Sequence, residues 1–283
     1  MVIIDSQVHI WAPDNPMRPR PPLDFTLFPP GEIHDQEPLD RVRLLKQMDA
    51  AGVDKAILVP PLWEGHRNDL AIEAAVLHPD RFAIMGKLPM HAPEYSLPRL
   101  ADWRRIPGML GLRLAFTDER DRPMLADGSL DWLWPEAERL GIPIMLLPPR
   151  QLHHVAVVAA RFPGLKLVID HLGVTRLQDR DLDATLGPSV ALARYPNVAI
   201  KLSGLPCFSS EPYPFRNIHE AVRRVVEAYG PHRCFWGTDL TRLLLKCSYR
   251  EAVTMVTEEM DFLSEIDKEW IMGRGLAAWL DWS

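Results

Sequence analysis

Val2-Ile3-Ile4-Asp5-Ser6-Gln7-Val8-His9-Ile10-Trp11 begins as an apolar run and ends in polar rings and amides. Side chains alternate along an extended chain, so Gln7 and His9 share a face. A segment this apolar on both faces belongs inside a sheet covered on both sides, and polar groups at its carboxyl end then need a reason to be there. In α/β sheets, open or closed, ligands lie at the carboxyl ends of the strands. A lone His9 reads as a satisfied core histidine; the later strands give it company.

Outward from this strand the chain repeats one unit, a helical pattern followed by a short apolar run. Leu39 to Ala51 leads to Val53–Val59, Asp69 to Leu77 to Phe82–Gly86, Leu97 to Arg105 to Met109–Leu114, and Leu130 to Leu140 to Ile142–Leu147. Leu152 to Phe162 then leads to Leu165–His171, Leu182 to Tyr195 to Val198–Ser203, and Ile218 to Tyr229 to Cys234–Gly237. Helical patterns at Tyr249 to Leu263 and Asp267 to Leu280 follow. Eight parallel strands joined by crossover helices close into a (β/α)8 TIM barrel. A doubly wound open sheet is the alternative, and the GxGxxG turn of its dinucleotide-binding form is absent. With no linker in the sequence, residues 1–283 read as one domain.

From Pro13 to Pro38 inclusive there are eight prolines, together with Arg18 and Arg20. Proline removes amide donors and fixes φ, so this stretch reads as an irregular loop, and its place after the first strand suits a lid or binding loop. The formal charge of −6 without a basic run argues against nucleic acid. Cys207, Cys234 and Cys247 form no CxxC pair, so neither a disulfide framework nor a thiolate zinc site is expected. No apolar run has the length of a membrane span and the amino terminus has no signal-peptide pattern. The expectation is a cytoplasmic protein acting on a small molecule, with a homo-oligomer left open.

A barrel gathers the polar groups at its strand ends onto one face: Gln7 and His9, Arg113, His171, Lys201 with Ser203, and Asp239. By alternation Leu167, Ile169 and His171 share a face while Asp170 lies opposite, on the helix side. Two histidines and an aspartate in one cavity suit either a metal or a general base with polarising donors. Asp239 beneath an aromatic would gain basicity, or Thr238-Asp239 would cap a helix. Arg113 suits a substrate carboxylate or an internal ion pair. Lys201 faces either the cavity or a helix, and Trp11, Trp63 and Trp236 either wall a ring-shaped ligand or simply pack.

Asp5-Ser6-Gln7-Val8-His9, Ile169-Asp170-His171-Leu172-Gly173, Lys201-Leu202-Ser203-Gly204-Leu205 and Trp236-Gly237-Thr238-Asp239 together resemble the amidohydrolase superfamily in its amidohydrolase-2 branch. That branch holds 2-pyrone-4,6-dicarboxylate lactonase, sugar-acid lactonases and metal-dependent decarboxylases. The resemblance implies that His9, His171 and Asp239 are catalytic, with Asp239 activating water, and that the same three would hold a metal if one binds. Gln7 departs from the family, standing where the first histidine of a His-x-His pair belongs, and amide oxygen is a poor zinc ligand beside imidazole. Ile144 to Leu147 also lack the fifth-strand Lys or His; His153 and His154 read as surface residues. The cofactor is therefore one divalent metal, zinc or manganese, or none.

The function expected is hydrolysis of a small cyclic ester carrying a carboxylate, with Gln7, Arg113, Lys201 and Trp63 binding substrate. A metal-dependent decarboxylase of an aromatic or dienoic acid and a non-catalytic ligand-binding barrel are the alternatives. Trp270, Trp279 and Trp282 on the final helical stretch pack either on the barrel or on another subunit.

Overall fold

A computed structural model of the chain describes residues 1–19, 37–174, 182 and 184–282. Its strands are β1 (Ile4–Val8), β2 (Lys55–Leu58), β3 (Phe82–Gly86), β4 (Met109–Ala115), β5 (Ile144–Leu147), β6 (Leu167–Ile169), β7 (Val198–Ser203) and β8 (Cys234–Gly237). All neighbours run parallel in the order β1 to β8. The ring closes where Asp239 N–H donates to Gln7 O at 2.9 Å and His9 N–H to Leu240 O at 3.2 Å. This is the (β/α)8 barrel the alternation specifies, and the open sheet is ruled out by that closure.

Two apolar cores follow from the pleat. One side of each strand packs on the surrounding helices; the other fills the barrel with Ile4, Ile57, Val59, Met85, Met145, Val168, Ala199 and Phe235. Gly111 lets this filling happen, since a Cβ there would sit 2.7 Å from Met85 Cε and 2.3 Å from the Pro143 carbonyl. Below, Leu276 and Leu280 of the helix Gly275–Leu280 join the interior core, flanked by Trp279 and Trp282. Those two tryptophans thus pack on their own barrel, while Trp270 lies against His232 with ring centroids 4.0 Å apart.

Some boundaries differ from the sequence expectation, for local reasons. The third helix starts at Pro93 rather than Leu97 and ends at Leu100, with Trp103–Arg105 a separate 3-10 turn; proline is well suited to a first turn, where its missing N–H costs nothing. The helix from Tyr249 stops at Thr257, and the next begins at Glu265 because Ser264 and Asp267 form a reciprocal capping box. That helix then runs through a π turn at Trp270–Arg274. Gly273 there lies so close to the Val2 carbonyl that a Cβ would stand 2.5 Å from it.

Of the proline-rich stretch, residues 20–36 lie outside the described residues, Arg20 and the lid expectation with them. The described start is tied down: Arg18 donates to Asp69 at 2.6 and 2.7 Å and to buried Glu64 at 3.1 Å. Among the described residues no helix is long and apolar enough to cross a membrane.

Candidate active site

The upper layer of the barrel is polar because each strand carries its alternation past the apolar filling. Val168 and Ala199 face the interior, and two residues on stand Asp170 and Lys201. Lys201 Nζ lies 2.9 Å from Asp170 Oδ1, and Arg113 Nε donates to Asp170 Oδ2 at 3.2 Å. Asp170 is therefore a cavity residue, which corrects its expected place on the helix side. The alternation breaks just beyond it: β6 ends at Ile169, and His171 and Leu172 adopt left-handed φ of 51° and 58°. That turn swings His171 back over the barrel, so consecutive residues both reach the site.

β1 does something similar within the strand. Its register slips between Asp5 and Val8, so interior Ile4 is followed three residues later by interior Gln7. Gln7 and His9 do share a face, with Gln7 Nε2 3.5 Å from His9 Nε2. Gln7 and Lys201 are both fully enclosed.

Asp239 is the point on which the upper groups converge. It follows β8 with φ of 58°. Its Oδ1 lies 3.1 Å from His9 Nε2, and its Oδ2 lies 3.8 Å from His171 Nε2 and 3.6 Å from Arg242 Nη1. The N-cap of the 3-10 turn Arg242–Leu245 is Thr241 rather than Asp239. His9 Nδ1 lies 2.6 Å from the Val59 carbonyl, an acceptor, and so carries the proton. His171 Nδ1 pairs with Ser203 Oγ at 2.8 Å. Trp63 stands over His9 at 6.1 Å between ring centroids and edge-on to Trp11 at 5.4 Å, forming a wall.

Burial sets the charges. It pushes the His171 imidazole below its ordinary value despite Asp239 and Asp170, which favours the neutral ring. Burial alone would raise Asp170, but Lys201 and Arg113 more than offset it and hold the carboxyl low. Burial lowers Lys201 against the pull of Asp170. Lys87, at the end of β3, is lowered strongly by burial and by Arg113, and its Nζ donates to the Pro61 and Gly65 carbonyls at 2.7 and 3.0 Å.

Lys87 and Arg242 were not picked out from the sequence. Lys87 carries the same signal as the others, a polar residue directly after an apolar strand. Arg242 carries none; only the turn closed by Arg242 N–H on Asp239 O at 2.9 Å brings it back to the site.

Two imidazoles and a carboxylate converge, yet among the described residues no group of three or more His, Cys, Asp or Glu forms a metal cage. The first-strand position holds an amide whose oxygen is committed to Lys201 at 2.5 Å, and neighbouring Asp170 is occupied by two cations. These residues do not fit a divalent metal.

With strands, closure and converging groups in place, the whole-chain comparison decides the family: the amidohydrolase family model matches residues 4–274. This chain belongs to the amidohydrolase family. The amidohydrolase fold extends to an amidohydrolase of Burkholderia multivorans, solved with bound HEPES and with bound zinc, at TM-scores of 0.81 and 0.80 and 24% identity over 99% of each chain. The 4-sulfomuconolactone hydrolase of Hydrogenophaga intermedia is 25% identical over 250 residues, 83% of this amidohydrolase and 73% of that protein. The L-fucono-1,5-lactonase of B. multivorans is 30% identical over 192 residues, 62% of each.

Proposed function

We propose that this amidohydrolase opens a small cyclic ester bearing an acid group, by metal-independent attack of water. The observation that carries the reading is the placement of one carboxylate, Asp239, against two imidazoles drawn from different strands. Relatives that act on lactones support the choice of substrate class.

With Nδ1–H committed to Val59, His9 presents its Nε2 lone pair to Asp239 Oδ1 at 3.1 Å. Two acceptors facing each other at this distance take up one proton between them, and that is the proton a hydrolytic water has to lose. Water held at Asp239 attacks the ring carbonyl; neutral His171 and the nearby guanidinium of Arg242 lie beside the developing oxyanion. The C–O ring bond breaks, and the proton stored by Asp239 and His9 passes to the leaving oxygen, giving a hydroxy acid. Atoms balance as lactone plus water.

Arg113 is the anchor for the substrate acid. Only its Nε is used by Asp170, and among the described residues its terminal nitrogens make no hydrogen bond; a planar guanidinium so placed can grip a carboxylate. Trp63 offers an apolar wall for the ring.

The test is a pH-indicator assay over a panel of five- and six-membered lactones, with and without carboxylates. Asp239→Asn and His171→Ala should each cut turnover at least about 100-fold. Full activity of both variants on every lactone the parent cleaves refutes the reading.

A further inference from the structure

Two residues expected to bind substrate, Gln7 and Lys201, have no exposed surface at all, and their geometry gives them another task. Lysine has three donors and no acceptor. The Gln7 atom facing Lys201 Nζ at 2.5 Å is accordingly its carbonyl oxygen, Oε1. Nζ cannot drift, because it also lies 2.9 Å from Asp170 Oδ1, itself gripped by Arg113 at 3.2 Å. With Oε1 fixed, the NH2 of Gln7 points the other way, to Nε2 of His9 at 3.5 Å.

On the far edge of the same imidazole the Val59 carbonyl accepts from Nδ1 at 2.6 Å. Both contacts demand one arrangement, Nδ1 as donor and Nε2 as acceptor. A flipped amide would turn a carbonyl toward Nε2 and demand the opposite.

We propose that Lys201 is a positioning residue: through the Gln7 amide it keeps Nε2 of His9 unprotonated beside Asp239, ready to receive the water proton. Lys201 touches no substrate in this scheme. It acts at two removes. The inference rests on the reading above that His9 and Asp239 together take the water proton.

The experiment is 15N NMR of histidine-labelled protein without substrate, the His9 signals assigned with His9→Asn, alongside steady-state kinetics on the best carboxylated lactone. In the parent, His9 shows a donor Nδ1 and an acceptor Nε2. Lys201→Met frees the amide to flip, and Nε2 moves to the donor type while kcat falls about 10- to 100-fold and KM changes less than about 3-fold. Lys201→Arg, another donor-only cation, restores the acceptor signature at least in part. Gln7→Met keeps the Lys201–Asp170 pair and should give the same loss, which guards against a Lys201 variant that fails to fold.

An unchanged His9 spectrum in Lys201→Met and Gln7→Met overturns the proposal, as does a rise confined to KM, which would make Lys201 a substrate contact. The NMR arm needs no turnover. A shifted tautomer in a protein that opens no lactone upholds the positioning and sinks only the lactonase reading.

Discussion

Asp5 and Thr238 sew the first strand to the last: the Asp5 carboxylate accepts the Thr238 N–H at 2.9 Å and its hydroxyl at 2.5 Å, one residue before Asp239. Tyr249 O–H and Gln7 N–H complete the cradle at 2.8 and 3.0 Å. Even so, full burial outweighs these donors and raises the carboxyl from 3.8 to about 6.

A raised pKa in the folded state means that the native protein binds the proton more tightly than the unfolded chain. Stability from this group is thus fully present below pH 3.8 and is lost as pH rises through about 6. The shift corresponds to about 3 kcal/mol. Urea unfolding of Asp5→Asn against the parent at pH 4.5 and 7.5 should show the parent losing its relative advantage at the higher pH. A difference independent of pH would contradict this.

Asp170 neutralises two enclosed cations, Lys201 and Arg113. Removing one partner of a buried ionic group strands the rest, at a cost of about 3–5 kcal/mol. Asp170→Asn should therefore lower the thermal midpoint by many degrees. Asp170→Asn combined with Lys201→Met removes one stranded cation and should recover part of the loss.

Arg242 holds its guanidinium 3.6 Å from Asp239 and stacks over Phe208 at 5.8 Å, with a side chain 18% exposed. Placed beside the developing oxyanion, the guanidinium supplies a charged hydrogen bond of about 1.5–3 kcal/mol that Arg242→Gln forfeits. Turnover should then fall roughly 10- to 100-fold on carboxylated and neutral lactones alike. A rise in KM confined to carboxylated lactones would instead make Arg242 a contact of the substrate acid.

Protein purified without added metal should contain well under one equivalent of zinc or manganese by elemental analysis. Dialysis against a chelator should leave lactone turnover unchanged. Loss of activity that zinc restores would show that the Gln7 position does not prevent ligation.

The barrel was legible because its strands are apolar runs with sharp ends. Phe82–Gly86, Val198–Ser203 and Cys234–Gly237 fall where the sequence puts them. Helix ends were harder wherever a local device decides them, as at Pro93 and Ser264. At the site, alternation found Gln7 and His9 but misplaced Asp170, because the left-handed turn at His171 abolishes the period on which the reading depends. The full enclosure of Lys201 and Gln7 was out of reach from sequence, since depth of burial leaves no mark on spacing.

The interior floor of the barrel is completed by Leu276 and Leu280, and Gly273 meets the carbonyl of Val2. These contacts join β1 to a helical segment that comes after β8 in the sequence. During synthesis β1 emerges with its final partners still untranslated, so the nascent barrel remains an unsealed sheet with a wet floor until the Gly273–Leu280 segment emerges. A factor that shields apolar surface on nascent chains would have its longest engagement with this protein just before that segment clears the exit tunnel.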